Sequence, residues 1–580
     1  VNLYKSSIPA KYGGRISSVL DIVSLDGNDK KLNGVAGIGP LTGKIALNGP
    51  IVKEKTTFAF GVRSTYSDWL LKLLPKEYKN SSGSFYDATI HISHNINRKN
   101  QLYLNGYYSK DKFSLDADTR YQYENRNANF KWKHNFNSRF YAVLMAGFDG
   151  YTYRNLDSVY PSDAFSLKYN IEQYKLRMDF SYFLTNRHTL SFGIAGQLYR
   201  IDPGKLSPWG TSSLRIPDTL QREQGLESTL YLSDQFNVSE ALSIEVGARL
   251  NVYDYLGPQS LFTYAQGLPI IDENITGIKK YGNLKVINSN YLPDIRIGSR
   301  YMLSSKTSLK GSFNSLHQFI HQVSNTTAVT PTDIWKLSNP FIAPQSGTQV
   351  SLGIYRNFKS NTVETSVEIY YKWIKHYLDY KSGASLLMNH HLETDVINTK
   401  GKAYGAEFMV KKSTGKLNGW VSYTYSRAFI KQDDPLAGEV INNGEYYPTN
   451  FDQPHSVSFI GNYKFSHRFS VSMNVNYNTG RPITLPIGSF EYEGSTRVLY
   501  SDRNAYRVPD YFRTDLSMNI EGNHKLKQKT HNSWTIGIYN VLARKNAYSI
   551  YFISEDGRVN GYKLSIFGTA IPFLTYNIRF

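Results

Sequence analysis

The sequence predicts an all-β protein, a 22-stranded antiparallel β-barrel that crosses a membrane, with short turns at one end and long loops at the other. Three observations predict it. Many segments alternate apolar and polar side chains, short and long connections alternate along the chain, and the last strand ends on an aromatic residue. Alternation with a period of two is typical of a strand that has lipid on one side and water on the other.

The composition permits such a barrel and excludes a bundle of membrane-spanning helices. Mean hydropathy is −0.42, and no run approaches the roughly 20 apolar residues that a spanning helix needs. In a barrel only every second side chain meets lipid, so the mean hydropathy looks like that of a soluble protein. Aromatic residues form 14% of the chain, which suits interfacial girdles, and there is no Cys.

Alternation is clearest in the second half of the chain. Residues 469–478 alternate without an error, and residues 363–373 and 403–410 also alternate. A period of two excludes helices for these segments. Glu368 and Glu407 fall on the polar faces. Their charges cost little free energy there if those faces line a water-filled lumen.

The connections give the strand count. Ten short polar turns lie at 53–55, 97–100, 137–139, 186–188, 239–240, 304–306, 359–361, 413–416, 466–468 and 525–530. Much longer connections separate them, at 67–84, 202–225, 255–289, 320–345, 380–399, 430–452 and 480–508. Ten turns join twenty strands, and an opening strand near Leu32–Gly39 and a closing strand near Phe573–Phe580 make 22. A soluble β-propeller would need a four-stranded blade repeated at a fixed period, which the sequence does not show.

The closing strand carries a further signal. Leu574, Tyr576, Ile578 and Phe580 fall on one face, and the polar residues between them fall on the other. This pattern resembles the C-terminal signature of bacterial outer-membrane barrels, so Tyr576, Ile578 and Phe580 are the predicted barrel-insertion signal, read by the barrel-assembly machinery. An ordinary edge strand at the end of a domain would show the same alternation.

The first thirty residues do not fit the barrel. Tyr12, Gly13, Gly14 and Arg15 lie in a segment, 8–21, that resembles the end of the plug domain of TonB-dependent outer-membrane transporters. Glycines suit a turn where side chains would collide with the barrel wall. We therefore expect a plug end at 1–30 and a barrel at 31–580. The TonB box and most of the plug are missing: either they precede Val1, which the surviving plug tail favours, or this is a plugless barrel.

Further matches to this family run along the whole chain. They are Arg63–Tyr66, Pro331–Trp335 with Ala343–Gln345, Gly401–Gly405 with Glu407, Asp452–His455, Gly480–Pro482, Tyr511–Asp515 and Asn540–Asn546, some of them typical of Bacteroidota members. Each is weak by itself, but their order and their spacing to Phe580 are specific.

The resemblance implies an active importer of a scarce or bulky ligand in the outer membrane of a Gram-negative bacterium. The TonB–ExbB–ExbD complex would act on the plug. A net charge of +19 weakly favours an anionic metal chelate such as a ferric siderophore, although contact with lipopolysaccharide and other outer-membrane lipids would also explain it. The alternatives are a subunit of a larger envelope complex, with or without a surface lipoprotein, and a passive pore.

Other chemistry is not indicated. The basic residues are scattered instead of forming a stripe with aromatics, which argues against nucleic-acid binding. The glycine-rich stretch 37–44 lacks the spacing of a phosphate-binding loop, and no hydrolase or zinc-protease motif occurs, so we expect neither an enzyme nor a cofactor. His317 and His321 could share a strand face but lack an adjacent acidic residue, so no metal site is predicted.

The candidate ligand-binding residues lie in or beside the long loops. They are Trp69, Trp209, Trp335, His390 and His391. The tryptophans could stack on a flat part of a ligand or belong to the outer aromatic girdle, and the girdle is the favoured interpretation. His390 and His391 are slightly better candidates for metal ligands than His317 and His321. The default interpretation is that they are solvated loop residues.

Overall fold

The computed structural model describes residues 1–66, 69, 81–114, 119–324, 333–492, 495–522, 528–555, 558–565 and 568–580. It contains a closed antiparallel barrel of 22 long strands, which confirms the predicted fold class. Short helical pieces among the described residues include α1 (Leu392–Asp395) and the 3-10 turns Asp272–Asn274 and Ile441–Gly444. None of the described helices has the length and apolar character needed to cross a bilayer.

The barrel strands are numbered β1–β22 in chain order. The first eleven are Asn33–Ile38, Thr42–Val52, Thr56–Thr65, Ser82–Asn97, Asn100–Ser114, Thr119–Asn135, Phe140–Asp157, Phe165–Phe183, His188–Pro208, Glu223–Asn237 and Leu242–Leu256. The remaining eleven are Val286–Ser304, Thr307–Gln318, Gln345–Phe358, Val363–Tyr380, Val396–Lys412, Leu417–Gln432, His455–Lys464, Phe469–Asn478, Tyr511–Glu521, His531–Tyr539 and Ile571–Arg579. Each strand pairs with its neighbours in sequence, and β1 pairs with β22 to close the cylinder.

Short strands outside the barrel form hairpins or lie beside it. Pairs form between Asn2–Tyr4 and Val19–Asp21, Gln259–Tyr264 and Ile275–Tyr281, Ile320–Val323 and Ile334–Leu337, Pro482–Ile483 and Tyr506–Arg507, Pro486–Tyr492 and Ser495–Tyr500, and Ser549–Glu555 and Arg558–Leu564. Asp218–Thr219 adds to β9, and Tyr447–Pro448 adds to β17. Apart from the first pair, these elements belong to the long loops.

The strand register matches the predicted faces. On β19, Val471, Val475 and Tyr477 pair with Tyr463, Phe459 and Val457 of β18, so apolar residues meet across the strands. On the other face, polar residues meet, as Asn476 does with Ser458. Slipping by one residue would invert every face, so the alternation itself fixes this register.

The structure also has turns where the sequence predicts them. The connection of β2 to β3, for example, is residues 53–55, and that of β18 to β19 is residues 465–468. The tenth turn, predicted at 525–530, lies partly outside the described residues, because 523–527 are not described. One end of the barrel therefore carries turns, and the other carries the long loops.

Aromatic side chains mark both edges of the apolar band. At the turn end Phe136, Phe140 and Phe180 stack in sequence, with centroids 4.7 Å and 5.9 Å apart. At the loop end Phe148 contacts Tyr174 at 5.2 Å. This arrangement is typical of interfacial girdles. Between the girdles, the outward side chains are apolar and exposed on the isolated chain, as lipid contact requires.

A charge placed on this band tests which face meets lipid. Leu176 of β8 faces outward and is 58% exposed, so Leu176→Arg should destabilise the folded barrel by about 2–4 kcal/mol. Folding titrations in lipid vesicles measure the change. Gln173→Arg on the same strand is the matched control, because Gln173 faces inward and bonds Gln197 at 3.1 Å, and it should cost less than about 1 kcal/mol. Equal losses would contradict the assignment of faces.

Candidate functional site

The first 30 residues, called the tail, contact inward-facing side chains of the barrel. Lys5 forms ion pairs with Glu407 and Glu368, the latter at 3.9 Å. Lys372 donates to the carbonyl of Ile16 at 2.7 Å. These contacts also place Glu368 and Glu407 toward the lumen, where alternation put them. The tail is therefore held by inward-facing charges of the strands around it.

Two buried arginines bind the backbone of the tail. Arg249 donates to the carbonyls of Ala10 and Lys11 at 3.4 and 3.3 Å. Arg296 donates to the carbonyls of Ile8, at 3.3 Å, and Pro9. Buried carbonyls outside regular secondary structure need such donors, and a charged donor makes a stronger bond. The arginines thus substitute for a strand partner in this part of the tail.

Carboxylates on the wall neutralise these arginines. Arg249 pairs with Glu227 at 3.1 Å, and both side chains are buried. Asp294 lies 3.8 Å from Arg296 and also bonds His317 at 2.7 Å. The expectation that His317 lacks an acidic neighbour was therefore wrong. The partner comes from β12, which lies beside β13 in the sheet but not beside His317 in sequence.

Tyr12, Gly13, Gly14 and Arg15 form a tight turn against this ion pair. A Cβ on Gly13 would lie 2.4 Å from Nε of Arg249, and one on Gly14 would lie 3.0 Å from Oε2 of Glu227. Gly14 also has φ +72°, which disfavours other residues. The two glycines are required by the closeness of the wall.

The neighbours of the turn are aromatic and charged. The ring of Tyr12 contacts that of Tyr4 at 5.6 Å and the guanidinium of Arg177 at 5.6 Å. Burial, together with the nearby charge of Asp21, raises the pKa of Tyr12. Arg15 lies near the hydroxyl of Tyr199, which donates to Glu227 at 2.9 Å. One polar network thus joins the turn to the wall.

A loop hairpin packs into the barrel above the tail. It is formed by Ile320–Val323 and Ile334–Leu337 and is called the inturned hairpin. Glu223 of β10 bonds both Lys336 and the backbone N–H of Leu337, the latter at 2.9 Å. Burial alone would lower the pKa of Lys336, but the charge of Glu223 outweighs burial and raises it. The ion pair fixes the hairpin to the wall.

Aromatic stacking and a buried histidine complete this attachment. The ring of Tyr253 stacks on Phe319, with centroids 4.7 Å apart, and its hydroxyl donates to the carbonyl of Ser338 at 2.9 Å. His321 is fully buried, and its Nε2 lies 2.7 Å from Oγ of Ser338. Burial, with a smaller effect of Arg15, lowers the pKa of His321 to about 3. His321 therefore lies on the hairpin and His317 on β13, so the two do not share one strand.

The outer loops are joined to one another by buried contacts. Arg503 pairs with Asp379 at 3.1 Å and lies over the ring of Tyr380 at 4.3 Å. The hydroxyl of Tyr447 donates to Asp379 at 2.6 Å. Burial alone would lower the pKa of Arg503, but the nearby charge of Asp379 outweighs burial and raises that pKa. Three loops are thereby tied together at one point.

A cavity of about 610 Å³ opens beside this point, on the loop side of the barrel, and is called the outer cavity. Its lining is rich in aromatic and amide groups, including Tyr380, Tyr500, Tyr551, Asn442 and Asn504. Tyr500 and Tyr551 are 58% and 46% exposed. Such a surface offers hydrogen bonds and stacking to a polar ligand with flat parts.

The predicted ligand-binding residues are not brought together. Trp69 is half exposed and donates to the carbonyl of Pro40 at 2.9 Å. Trp209 lines another cavity, and Trp335 is half buried against the aromatic cluster under the inturned hairpin. His390 bonds Asp218 at 2.9 Å, and His391 bonds Asp272 at 2.7 Å. None of the five lines the outer cavity.

The histidine contacts join loops in pairs. Within the described ranges, no group of three His, Asp or Glu side chains is arranged to hold a metal ion. The residues of the outer cavity were missed by sequence reasoning, because they come from four separate loops between residues 380 and 552. The tyrosines of those loops, Tyr380, Tyr500 and Tyr551, are a sequence signal that could have pointed to them.

The chain end forms the seam of the barrel. The backbone of Phe580 exchanges hydrogen bonds with Gly34 at 2.8 and 3.0 Å. A Cβ on Gly34 would lie 2.3 Å from the Phe580 ring. Tyr576 contacts Trp534 of β21 at 4.7 Å, and Ile578 pairs with Ala36. The terminal residues thus join the first strand to the last.

Comparison with known proteins gives a family and a fold. The family model described as "TonB dependent receptor-like, beta-barrel" matches residues 58–541. No curated protein sequence matches the chain. The expected likeness to Bacteroidota members stays a prediction.

Solved structures of similar fold include three iron-chelate receptors. The ferric-catecholate import receptor Fiu of E. coli K12 has a TM-score of 0.63 at 13% identity, over 95% of this chain and 82% of that chain. The ferripyoverdine receptor of Pseudomonas aeruginosa has 0.64 at 13%, over 98% and 74%. BauA, the ferric preacinetobactin receptor of Acinetobacter baumannii, has 0.66 at 10%, over 98% and 83%. At these identities the likeness shows the fold alone.

A bulky residue at Gly13 tests the docking of the tail. Gly13→Val should displace the Arg249 guanidinium and weaken tail docking by about 1–3 kcal/mol, because the site is already filled. Hydrogen exchange of residues 8–16 measures the change. Gly196→Val on β9 is the control, because nothing lies within 4 Å of its added Cβ. Unchanged exchange in the Gly13 variant would contradict the packing described.

Acid should loosen the inturned hairpin through His321. An undocked imidazole has a pKa of about 6.5, whereas the docked one has a pKa of about 3. The undocked state therefore binds a proton that the docked state excludes. Docking should weaken as pH falls from about 6.5 toward 3, by up to about 1.4 kcal/mol per pH unit.

Hydrogen exchange of Ile320–Val323 at about pH 7.5 and about pH 5, corrected for intrinsic rates, measures this effect. His321→Gln keeps a hydrogen-bonding group and should flatten the pH dependence. The same acid sensitivity in the variant would assign the effect to another group.

Proposed function

The chain belongs to the TonB-dependent receptor family, and on that premise we propose that it imports a scarce or bulky ligand across the outer membrane of a Gram-negative bacterium. The observation that carries this proposal is that other parts of the chain lie inside the barrel. A tail held by buried ion pairs and an inturned hairpin occupy the lumen, so the barrel is not built as an open channel. This supports gated import over a passive pore.

We propose that the tail is the end of a plug domain. Arg249 and Arg296 hold it mainly through its backbone carbonyls, by hydrogen bonds that can be exchanged for water. A cavity of about 1280 Å³ adjoins its first residues at the turn end of the barrel. Force from the TonB–ExbB–ExbD complex on a plug would reach the wall through these contacts. The energy for opening would come from that complex, and specificity from the loops.

An anionic metal chelate, such as a ferric siderophore, is the proposed ligand class. The outer cavity presents phenol and amide groups beside Arg503, and the chain has a net charge of +19. Hydroxyl and amide donors suit the oxygen-rich surface of a chelate, and the positive field favours its approach. The three solved receptors named above are receptors for ferric chelates, which agrees with this class. No cofactor or catalytic step is part of the proposal.

A second candidate is a role as subunit of a larger envelope complex. Two outer loops joined by the ion pair of Arg215 with Asp163 expose Tyr160, Leu214 and Ile216, the last two at 81% and 82%. Exposed apolar side chains above a membrane are typical of a protein contact. A surface lipoprotein is the partner this surface would fit.

Ligand binding tests the proposed chelate class. Purified protein is titrated with a panel of ferric catecholate, hydroxamate and citrate complexes, and uptake is measured in cells with and without TonB. The double variant Tyr500→Ala/Tyr551→Ala should weaken binding by about ten- to a hundredfold, or about 1.4–2.8 kcal/mol, by removing two contact surfaces. Uptake should require TonB.

Tyr160→Ala is the control, since Tyr160 is at least as exposed, at 69%, and lies on a loop outside the outer cavity. Equal binding by both variants would place the site elsewhere. If no chelate binds, while a lipoprotein co-purifies in a constant ratio, the envelope-complex role replaces import.

A further inference from the structure

Lysine and arginine are concentrated in the short turns of the barrel. Nine of the ten turns carry at least one of them, whereas Glu54 and Glu240 are the only carboxylates in the ten. One exposed cation from each of six turns defines a set that is called the cationic rim. Its members are Arg98, Arg139, Lys306, Lys359, Lys416 and Arg468.

The rim charges are not neutralised within the folded protein. Among the described residues, no carboxylate forms an ion pair with any of the six side chains. Arg468 donates to the carbonyl of Glu521 at 3.1 Å, but that group is neutral. At the loop end, by contrast, exposed cations are found in ion pairs, as Arg222 is with Asp202 at 2.7 Å. The six rim charges are therefore available to an external anion.

Each rim cation lies beside an exposed apolar side chain. Within three residues of every cation along the chain lies an apolar residue that is 40% to 57% exposed, and these residues are Ile96, Phe136, Leu303, Phe358, Leu417 and Phe465. Two of them belong to the aromatic girdle of the turn end, where Phe136 contacts Phe140 at 4.7 Å and Phe465 contacts Phe469 at 5.3 Å. Girdle side chains lie at the edge of the hydrocarbon layer, so the cations lie just beyond that edge.

The turns are too short to carry the cations far from the membrane. The six turns have two to four residues each, and three residues span at most about 10 Å. The polar layer of one leaflet is roughly 5–8 Å deep. Lysine and arginine can lay their apolar stems along greasy surface and place the charged head in that layer. The rim is therefore at the level of the headgroup phosphates.

The pairing of a cation with an apolar side chain distinguishes a lipid from a soluble polyanion. A cell-wall polymer would give the cations carboxylates, but it has no acyl chain for the apolar neighbours. An anionic phospholipid has both a phosphate and acyl chains. Arginine and lysine both bind phosphate, arginine through two parallel hydrogen bonds. A phospholipid is therefore the partner that satisfies both members of each pair.

We propose that the cationic rim binds the phosphate headgroups of anionic phospholipids in the leaflet at the turn end. The six turns lie between β4 and β19 in chain order, so the rim follows much of the circumference and selects the lipids next to the barrel. Each lysine or arginine close to an anionic membrane surface strengthens the attraction by about fivefold. The proposal is independent of the transported ligand, because the outer cavity is at the opposite end of the barrel.

The test compares three triple variants of the full chain in lipid vesicles. The rim variant, Arg139→Gln/Lys306→Gln/Lys416→Gln, removes half of the rim. The charge-retaining variant, Arg139→Lys/Lys306→Arg/Lys416→Arg, changes the same positions without changing their charge. The control, Lys279→Gln/Lys280→Gln/Lys285→Gln, removes the same charge from exposed positions in a loop at the other end of the barrel.

Quenching of tryptophan fluorescence by brominated lipids measures which lipids lie next to the barrel. Trp132 and Trp534 are 36% and 44% exposed and lie near the turn end, and Trp132 bonds Asn100 beside a turn at 3.1 Å. All proteins carry Trp373→Phe, because Trp373 is exposed on the loop half of β15. Brominated phosphatidylglycerol and brominated phosphatidylcholine are compared in vesicles of phosphatidylcholine, and the ratio of their relative binding constants is the lipid preference.

The chain with an intact rim should prefer phosphatidylglycerol by about fivefold or more, and high salt should reduce this preference. The preference of the rim variant should fall below about twofold, while the charge-retaining variant and the control should stay within about 1.5-fold of the intact chain. An unchanged preference in the rim variant, or an equal loss in either of the other two, would overturn the proposal. So would a rim variant that loses only co-sedimentation with purified peptidoglycan, since the cell wall would then be the partner.

Discussion

Closure of the hydrogen-bonded cylinder is the constraint on which the rest of the structure depends. In a bilayer, an unpaired strand edge leaves backbone groups without partners, so the first strand must meet the last. Here β1 meets β22, and the backbone of Phe580 completes the seam at Gly34. Because the seam fixes the register of both strands, it also fixes which side chains of the neighbouring strands face lipid.

Closure separates the lipid outside the barrel from the polar lumen inside it, and the two environments favour different side chains. Outward side chains are selected for apolar contact, so the charges that the chain carries are concentrated inside or at the ends. Inside, Arg249, Arg296, Glu227 and Asp294 would be costly if unpaired. They bind one another and the carbonyls of the tail, so a polar lumen and a docked segment stabilise each other. A segment held through such hydrogen bonds can exchange them for water when it is released.

At the loop end of the barrel, ion pairs likewise hold separate segments of the chain in place. The inturned hairpin is fixed by the pair of Lys336 with Glu223, and the outer loops are fixed by the pair of Arg503 with Asp379. These two ion pairs join segments that are far apart in the sequence.

The sequence by itself determined the barrel, its strand number and the orientation of its faces, because a period of two over a closed wall leaves one consistent register. Glu368 and Glu407 could be assigned to the lumen from alternation alone, and the glycines of the Tyr12–Arg15 turn could be assigned to a crowded wall. Only the tertiary structure decided which distant residues meet. Asp294 beside His317 and Asp379 beside Arg503 depend on strand register or on loop packing, and no local pattern encodes such long-range pairs.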